Sequence, residues 1–157
     1  MEIIEGGMRE GDAAMMREAL AEAHAAAEGG EVPVGAIVVD GGRIIARAHN
    51  RTIADCDPTA HAEMVALREA ARIGGNHRLT GATIYVTVEP CAMCAGAMIQ
   101  ARVARLVYGC AEPKGGAVRT SLGVLENPAA NHQVEVVSGV LAEECAMELR
   151  EFFEARR

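Results

Sequence analysis

The sequence predicts a three-layer α/β/α sandwich around a mixed five-stranded sheet. Three observations predict it. Short β-branched runs alternate with stretches of helical period. One pair of runs meets across Gly41-Gly42, the turn of an antiparallel hairpin. The later runs are separated by helices, and strand–helix–strand crossovers make parallel neighbours with helices on both faces. The 157 residues suit one domain, 1–157, in which 1–11 is expected to be a flexible N-terminal extension.

The elements follow in order. Asp12 is placed to cap a first helix through "AAMMREALAEAHAAAE", with a stripe of Met16, Leu20, Ala23 and Ala27, ending at Gly29-Gly30. "VGAIVVD" and "RIIARAHN" form the hairpin, and "NRTIADCDPTA" is a loop. A second helix is expected from about Ala60 to Gly74-Gly75, then a buried strand "ATIYVTV" that Glu89-Pro90 ends. A third helix runs from about Cys91 to Ala101, followed by the strand "ARLVYG". Residues 111–131 read as loop with one helical turn. "QVEVVSG" is a fifth strand, and "LAEECAMELREFFEARR" is a closing amphipathic helix whose stripe Leu141, Cys145, Leu149, Phe152 reads as core.

Composition narrows the function. Aromatics are 3% with no Trp, so the core must be aliphatic. The net charge of −7 argues against a protein that coats nucleic acid without specificity, though Arg68, Arg72, Arg78, Arg102, Arg105, Lys114 and Arg119 leave room for a local basic patch. No apolar run approaches the roughly 18 residues of a membrane span, and "MEIIEGGMREGD" lacks the basic start of a signal peptide. A cytoplasmic protein is expected. The five cysteines (56, 91, 94, 110, 145) have no disulfide-framework spacing, and in a reducing compartment a close Cys pair points to metal or redox chemistry.

"DPTAHAEMVAL" and "VEPCAMCAGAM" carry that chemistry. His61 opens one helix; Cys91 and Cys94 open another, directly after a strand. Helix N-termini carry partial positive charge that favours thiolates, and they gather above the C-terminal ends of parallel strands. One imidazole and two thiolates suit zinc, and three protein ligands leave a position for water, as catalytic zinc sites do. On a regular helix Glu63 points about 200° away from His61, which makes it a poor co-ligand. At a helix tip it can instead reach the water and carry its proton.

Rival readings exist. Strand–Pro-Cys-x-x-Cys–helix also describes a thioredoxin-like redox site, in which His61 and Glu63 have no task. A zinc protease needs His-Glu-x-x-His, and residue 65 is Val. A structural zinc knuckle would need a fourth ligand and leaves Glu63 unused. The His-x-Glu…Pro-Cys-x-x-Cys pattern is the established signature of zinc nucleobase deaminases.

On these motifs the chain resembles the cytidine/deoxycytidylate deaminase superfamily and, within it, the bacterial tRNA-specific adenosine deaminases. The resemblance spans roughly Val32 to Phe153, through "EVPVGAIVV", "HNRTIADCDPTAHAEMVALREA", "TIYVTVEPCAMCAGAMIQARVARLVYG", "EPKGGA" and "NHQVEVVSGVLAEEC". It implies a cytidine deaminase-like fold and one zinc ion per subunit on His61, Cys91 and Cys94. Glu63 would be general acid and base, and Asn50 would contact base and sugar. Val34 and Ala62 would line the adenine pocket, and Pro90 would face the activated water. It also implies a homodimer that acts on a tRNA anticodon stem-loop, without a membrane, and turns wobble adenosine into inosine.

Two departures fall near the RNA surface. Glu112, Lys114 and Arg119 stand where relatives carry Asp, Lys and Gly, and His49 precedes Asn50 where an aromatic is common. Glu112, Lys114, Arg119 and Phe153, the last with Arg156 and Arg157, are candidate RNA contacts. His24 and His77 read as surface histidines and His132 as a loop-capping or packing residue. Cys56 and Cys110 read as lining or core. A deaminase of free guanine, cytosine or a nucleoside is the alternative with the same chemistry. A non-catalytic zinc-stabilised RNA-binding protein is the alternative of another class.

Overall fold

The structure, a computed structural model, describes residues 4–157. Four helices flank one mixed sheet in three layers. The strands are β1 (Ile4–Glu5), β2 (Gly35–Asp40), β3 (Arg43–His49), β4 (Thr83–Val88), β5 (Arg105–Cys110) and β6 (Glu135–Val137). The helices are α1 (Asp12–Glu28), α2 (Ala62–Gly74), α3 (Ala92–Ala101) and α4 (Ala142–Glu154), with one 3-10 turn at Val124–Glu126. The sheet order is β1-β6-β5-β4-β2-β3. The five expected strands are present, and β1 adds a two-residue parallel pairing on the edge of β6. Of the expected N-terminal extension 1–11, residues 1–3 lie outside the described residues.

β2 pairs antiparallel with both β3 and β4, while β4, β5 and β6 run parallel. β3 and β4 therefore run the same way, and their C-terminal ends meet at one edge of the sheet. β4 and β5 are buried almost throughout, as central parallel strands require. Gly41 (φ 58°) and Gly42 (φ 77°) make the left-handed two-residue turn of the β2–β3 hairpin.

Side chains alternate between two aliphatic cores. Ala36, Val38, Ile84, Val86 and Leu106 face α2 and α3, joined by Met98 and Leu67. Ile37, Val39, Tyr85 and Val107 face α1 and α4, joined by Met16 and Cys145. The buried stripe of α1 is Met16, Ala19, Ala23 and Ala26, so Leu20 and Ala27 sit beside it, half-buried. The cause is close contact: a methyl group on Gly35 would run into the Ala19 carbonyl oxygen and the Ala23 amide, so β2 lies directly on the small side of the helix.

Asp12 is not the cap of α1. Gly11 holds that place, and Asp12 is the first helical residue, buried under the sheet edge. Its Oδ1 accepts from Arg105 Nη1 at 2.7 Å and from the Tyr85 hydroxyl at 2.7 Å, and its Oδ2 accepts from Arg105 Nη2 at 2.6 Å. Arg105 also donates to Glu135 at 3.0 Å and to the Gly7 carbonyl at 3.1 Å, which ties the N-terminal segment to β5 and β6. The fifth expected strand, "QVEVVSG", is ladder-paired only over Glu135–Val137. Among the described residues no helix is long and apolar enough to cross a membrane.

Candidate active site

β3 and β4 each release the chain at the same sheet edge, and each is followed by a helix whose N-terminus returns there. α2 begins at Ala62, later than the expected Ala60, because the Asp57 carboxylate holds the Thr59 amide (2.8 Å) and hydroxyl (2.7 Å) in a turn. His61 is thus the N-cap residue of α2 (φ −69°, ψ 153°) rather than part of its first turn. Cys91 is the N-cap residue of α3 (φ −76°, ψ 175°), and Cys94 lies in the first turn.

This geometry brings His61, Cys91 and Cys94 together, with ligand atoms all within 4.8 Å of one another. His61 Nδ1 lies 3.5 Å from Cys91 Sγ and 3.6 Å from Cys94 Sγ. A tetrahedral zinc with ordinary bond lengths separates a nitrogen and a sulfur ligand by roughly 3.6 Å. The donor set and its spacing therefore fit that ion. Hydrogen bonds from the Cys94 thiol and His61, and then the Cys94 backbone N–H, hold the Cys91 thiol far below its ordinary value. Against that thiolate, and by burial, the Cys94 thiol is pushed up. These bonds and the two positive helix ends favour Cys91 as thiolate, the form that binds a metal.

Glu63 is 4% exposed, in the first turn of α2. Burial raises its carboxyl to about 7. A carboxyl poised near neutral pH can both take and give a proton. The arrangement is a cleft of about 350 Å³ lined by Val32, Val34, Asn50, Thr52, His61, Ala62, Glu63, Val88, Glu89, Cys91 and Glu112. Asn50 follows β3; its amide donates to the Val34 carbonyl at 3.1 Å, and its side-chain oxygen accepts from the Thr52 amide at 3.4 Å. The cleft thus joins a metal-ligand corner, three carboxyl side chains of which Glu63 adjoins that corner, one amide side chain and apolar walls.

Of the other expected residues Glu112 lines the cleft, and the rest lie outside its lining. Pro90 is buried behind the cleft, where its carbonyl accepts the Ala117 amide at 2.9 Å. Lys114 is exposed in the loop after β5, and Glu112 turns its carboxylate onto the Lys114 and Gly115 amides. Arg119 is engaged by the Glu5 carboxylate and the Ser138 hydroxyl, both at 2.6 Å, so it is not a free loop charge. Phe153 is 48% exposed and packs edge-on to Phe152, away from the lining. His132 Nε2 donates to the Val103 carbonyl at 2.6 Å, a packing role. Cys110 is buried and Cys56 exposed.

Two buried glutamates were missed. Glu31 holds the amides of Ile53 (3.2 Å) and Ala54 (2.7 Å) in the loop after Asn50. Glu89 holds amides of the loop after β5. Their partners are backbone N–H groups, which leave no mark in a sequence. A carboxylate inside the otherwise apolar "VTVEPC" was the available signal for Glu89.

Comparison with known proteins gives the family. Residues 10–157 match the MafB19-like deaminase family. The tRNA-specific adenosine deaminase of Bacillus subtilis (strain 168) is 51% identical, over 93% of this chain and 91% of that protein. The tRNA-specific adenosine deaminase of Haemophilus influenzae is 49% identical, over 93% and 85%. A structure from a study of A-to-I editing by tRNA:A34 deaminases at the wobble position of transfer RNA superposes with a TM-score of 0.84, at 47% identity over 87% of this chain and 99% of that one. The guanine deaminase from Nitrosomonas europaea shares the fold, with a TM-score of 0.76 at 24% identity over 96% of this chain and 86% of that one.

Proposed function

We propose how the cleft divides its labour, starting from the premise that this chain belongs to the tRNA-specific adenosine deaminase family: it is a hydrolytic deaminase that turns wobble adenosine into inosine in a tRNA. The observation that carries the reading is the His61–Cys91–Cys94 corner, with its 3.5 and 3.6 Å spacings, in one cleft with a buried Glu63. In our reading the three ligands hold one zinc ion, which when bound supplies Lewis-acid activation of water.

Glu63 moves the protons. It takes one from the attacking water as the oxygen–C6 bond forms and gives one to N1 of the adenine. It then takes the remaining proton from the new C6 hydroxyl and passes it to the amine, so that the C6 carbonyl forms as the C6–nitrogen bond breaks and ammonia leaves. Its value of about 7 lets one carboxyl serve in both directions. Asn50 offers an amide to base and sugar. Val34 and Ala62 supply apolar walls that exclude bulk water, and Pro90 fixes the backbone behind the metal corner.

A base in an anticodon loop is less costly to unstack than one in a duplex, which suits a narrow cleft. The rim loop with Glu112, Lys114 and Arg119, together with Phe153, faces the RNA in this reading. The chain works as a homodimer in the cytoplasm, where a reducing environment keeps Cys91 and Cys94 available.

The test is inosine formation in a tRNA anticodon stem-loop set against ammonia release from free guanine, cytosine and nucleosides. Inosine at the wobble position is the expected result. Turnover of a free base with none on the stem-loop would replace this reading by the small-molecule one. A chain that binds the stem-loop and zinc but turns over nothing would be a binding protein. Light scattering of the purified protein tests the dimer.

A further inference from the structure

Glu89 directly follows β4 and stands two residues before Cys91. It is 3% exposed, and both carboxylate oxygens turn into the loop that follows β5. Oε1 accepts from the Glu112 amide (3.2 Å) and the Thr120 hydroxyl; Oε2 accepts from the amides of Val118 (3.2 Å), Arg119 (2.8 Å) and Thr120 (3.0 Å).

A carboxylate offers about four lone-pair sites. Five donors saturate it, so no capacity remains for a metal, a water or a substrate proton. Glu89 lies at the cleft yet cannot be one of its reacting groups. Its backbone belongs to the same unit: its amide donates to the Cys110 carbonyl at 2.9 Å, and the Ala117 amide donates to the Pro90 carbonyl at 2.9 Å. The 112–120 segment supplies Glu112 to the cleft wall. The loop's outward ties run from the Arg119 side chain to the exposed Glu5 and Ser138, where solvent weakens them.

We infer that Glu89 is a positioning residue: its saturated carboxylate locks the 112–120 wall to the strand that delivers Cys91, and so fixes how substrate meets the metal corner. The inference rests on the deaminase reading for its consequence, but the lock itself is a property of the protein alone. Gly116 belongs to the device. A methyl group there would occupy the space of Glu89 Oε1 and the Glu112 carbonyl.

Two variants test it, E89Q and G116A, each in the zinc-loaded protein. Glutamine keeps one acceptor oxygen but turns an NH2 group towards donors. Gly116→Ala keeps the carboxylate and displaces the loop. The first readout is amide hydrogen exchange at Val118, Arg119 and Thr120 without substrate, expected to be at least about tenfold faster in both variants. The second is the kinetic split on the anticodon stem-loop: KM up by about tenfold or more, kcat within about threefold, zinc still one per chain.

Unchanged exchange in E89Q would overturn the lock. Loss of zinc with unchanged KM would place Glu89 in the metal centre and overturn it too. Loss of kcat alone, with KM unchanged, would reduce Glu89 to a general folding role and overturn it. If the wild-type protein fails on the stem-loop, the deaminase reading falls while the exchange measurement still decides the lock.

Discussion

Arg105 grips both oxygens of Asp12 from 93 residues away, Nη1 on Oδ1 at 2.7 Å and Nη2 on Oδ2 at 2.6 Å. Burial alone would raise the Asp12 carboxyl, but hydrogen bonds from Arg105, the Arg9 amide and Tyr85 outweigh it and hold it at about 2. The folded value lies below the ordinary 3.8, so its stabilisation is present above that pH and is lost as pH falls towards about 2. In urea titrations this group should remove about 2 kcal/mol across that window. Asp12→Asn should lack that limb and cost about 2–3 kcal/mol at pH 7, since it leaves the buried guanidinium with Glu135 as its remaining counter-charge. A variant within about 1 kcal/mol of wild type at pH 7 would contradict this.

Gly35 lets β2 and α1 touch. Gly35→Ala would drive a methyl group into the Ala19 carbonyl and the Ala23 amide, both backbone, which cannot swing aside as a side chain could. The expected loss is about 3 kcal/mol or more, seen as a lower urea midpoint with an unchanged slope. Wild-type stability would mean that the helix can slide away from the sheet at little cost.

Glu63→Gln keeps size and removes the proton carrier. Inosine formation should fall by about 10²–10⁴-fold with zinc content and fold retained, measured on the same preparation by metal analysis and circular dichroism. Turnover within about tenfold of wild type would end the proposed role of Glu63.

Removing the metal should abolish turnover and lower the melting temperature by about 10 °C, with both restored by added zinc. His61→Ala should mimic the chelated protein. Full activity in a zinc-free preparation would rule out the His61–Cys91–Cys94 corner as the working centre.

Much of the site was readable because its residues sit at fixed spacings on local elements. His-x-Glu and Pro-Cys-x-x-Cys each occupy one helix start, and strand–helix order dictates that both starts share a sheet edge. What escaped depends on partners distant in the chain. Asp12 looked like a cap because Ser, Thr, Asp and Asn usually are, yet Arg105 and Tyr85 claim its carboxylate. The α1 stripe was misplaced by one residue because Leu outranks Ala in hydrophobicity, while the sheet selects the small side to approach closely. β1 is two residues long, too short for any periodic signal. Nothing local in the sequence joins Arg119 to Glu5, which is 114 residues away.

The two buried glutamates imply a separation of parts. The metal corner stands on helix starts set by the sheet, while each wall hangs from one acidic tether, Glu31 for 52–54 and Glu89 for 112–120. Chimeras that graft a foreign wall while keeping its tether should inherit the donor's choice of target and the host's chemistry.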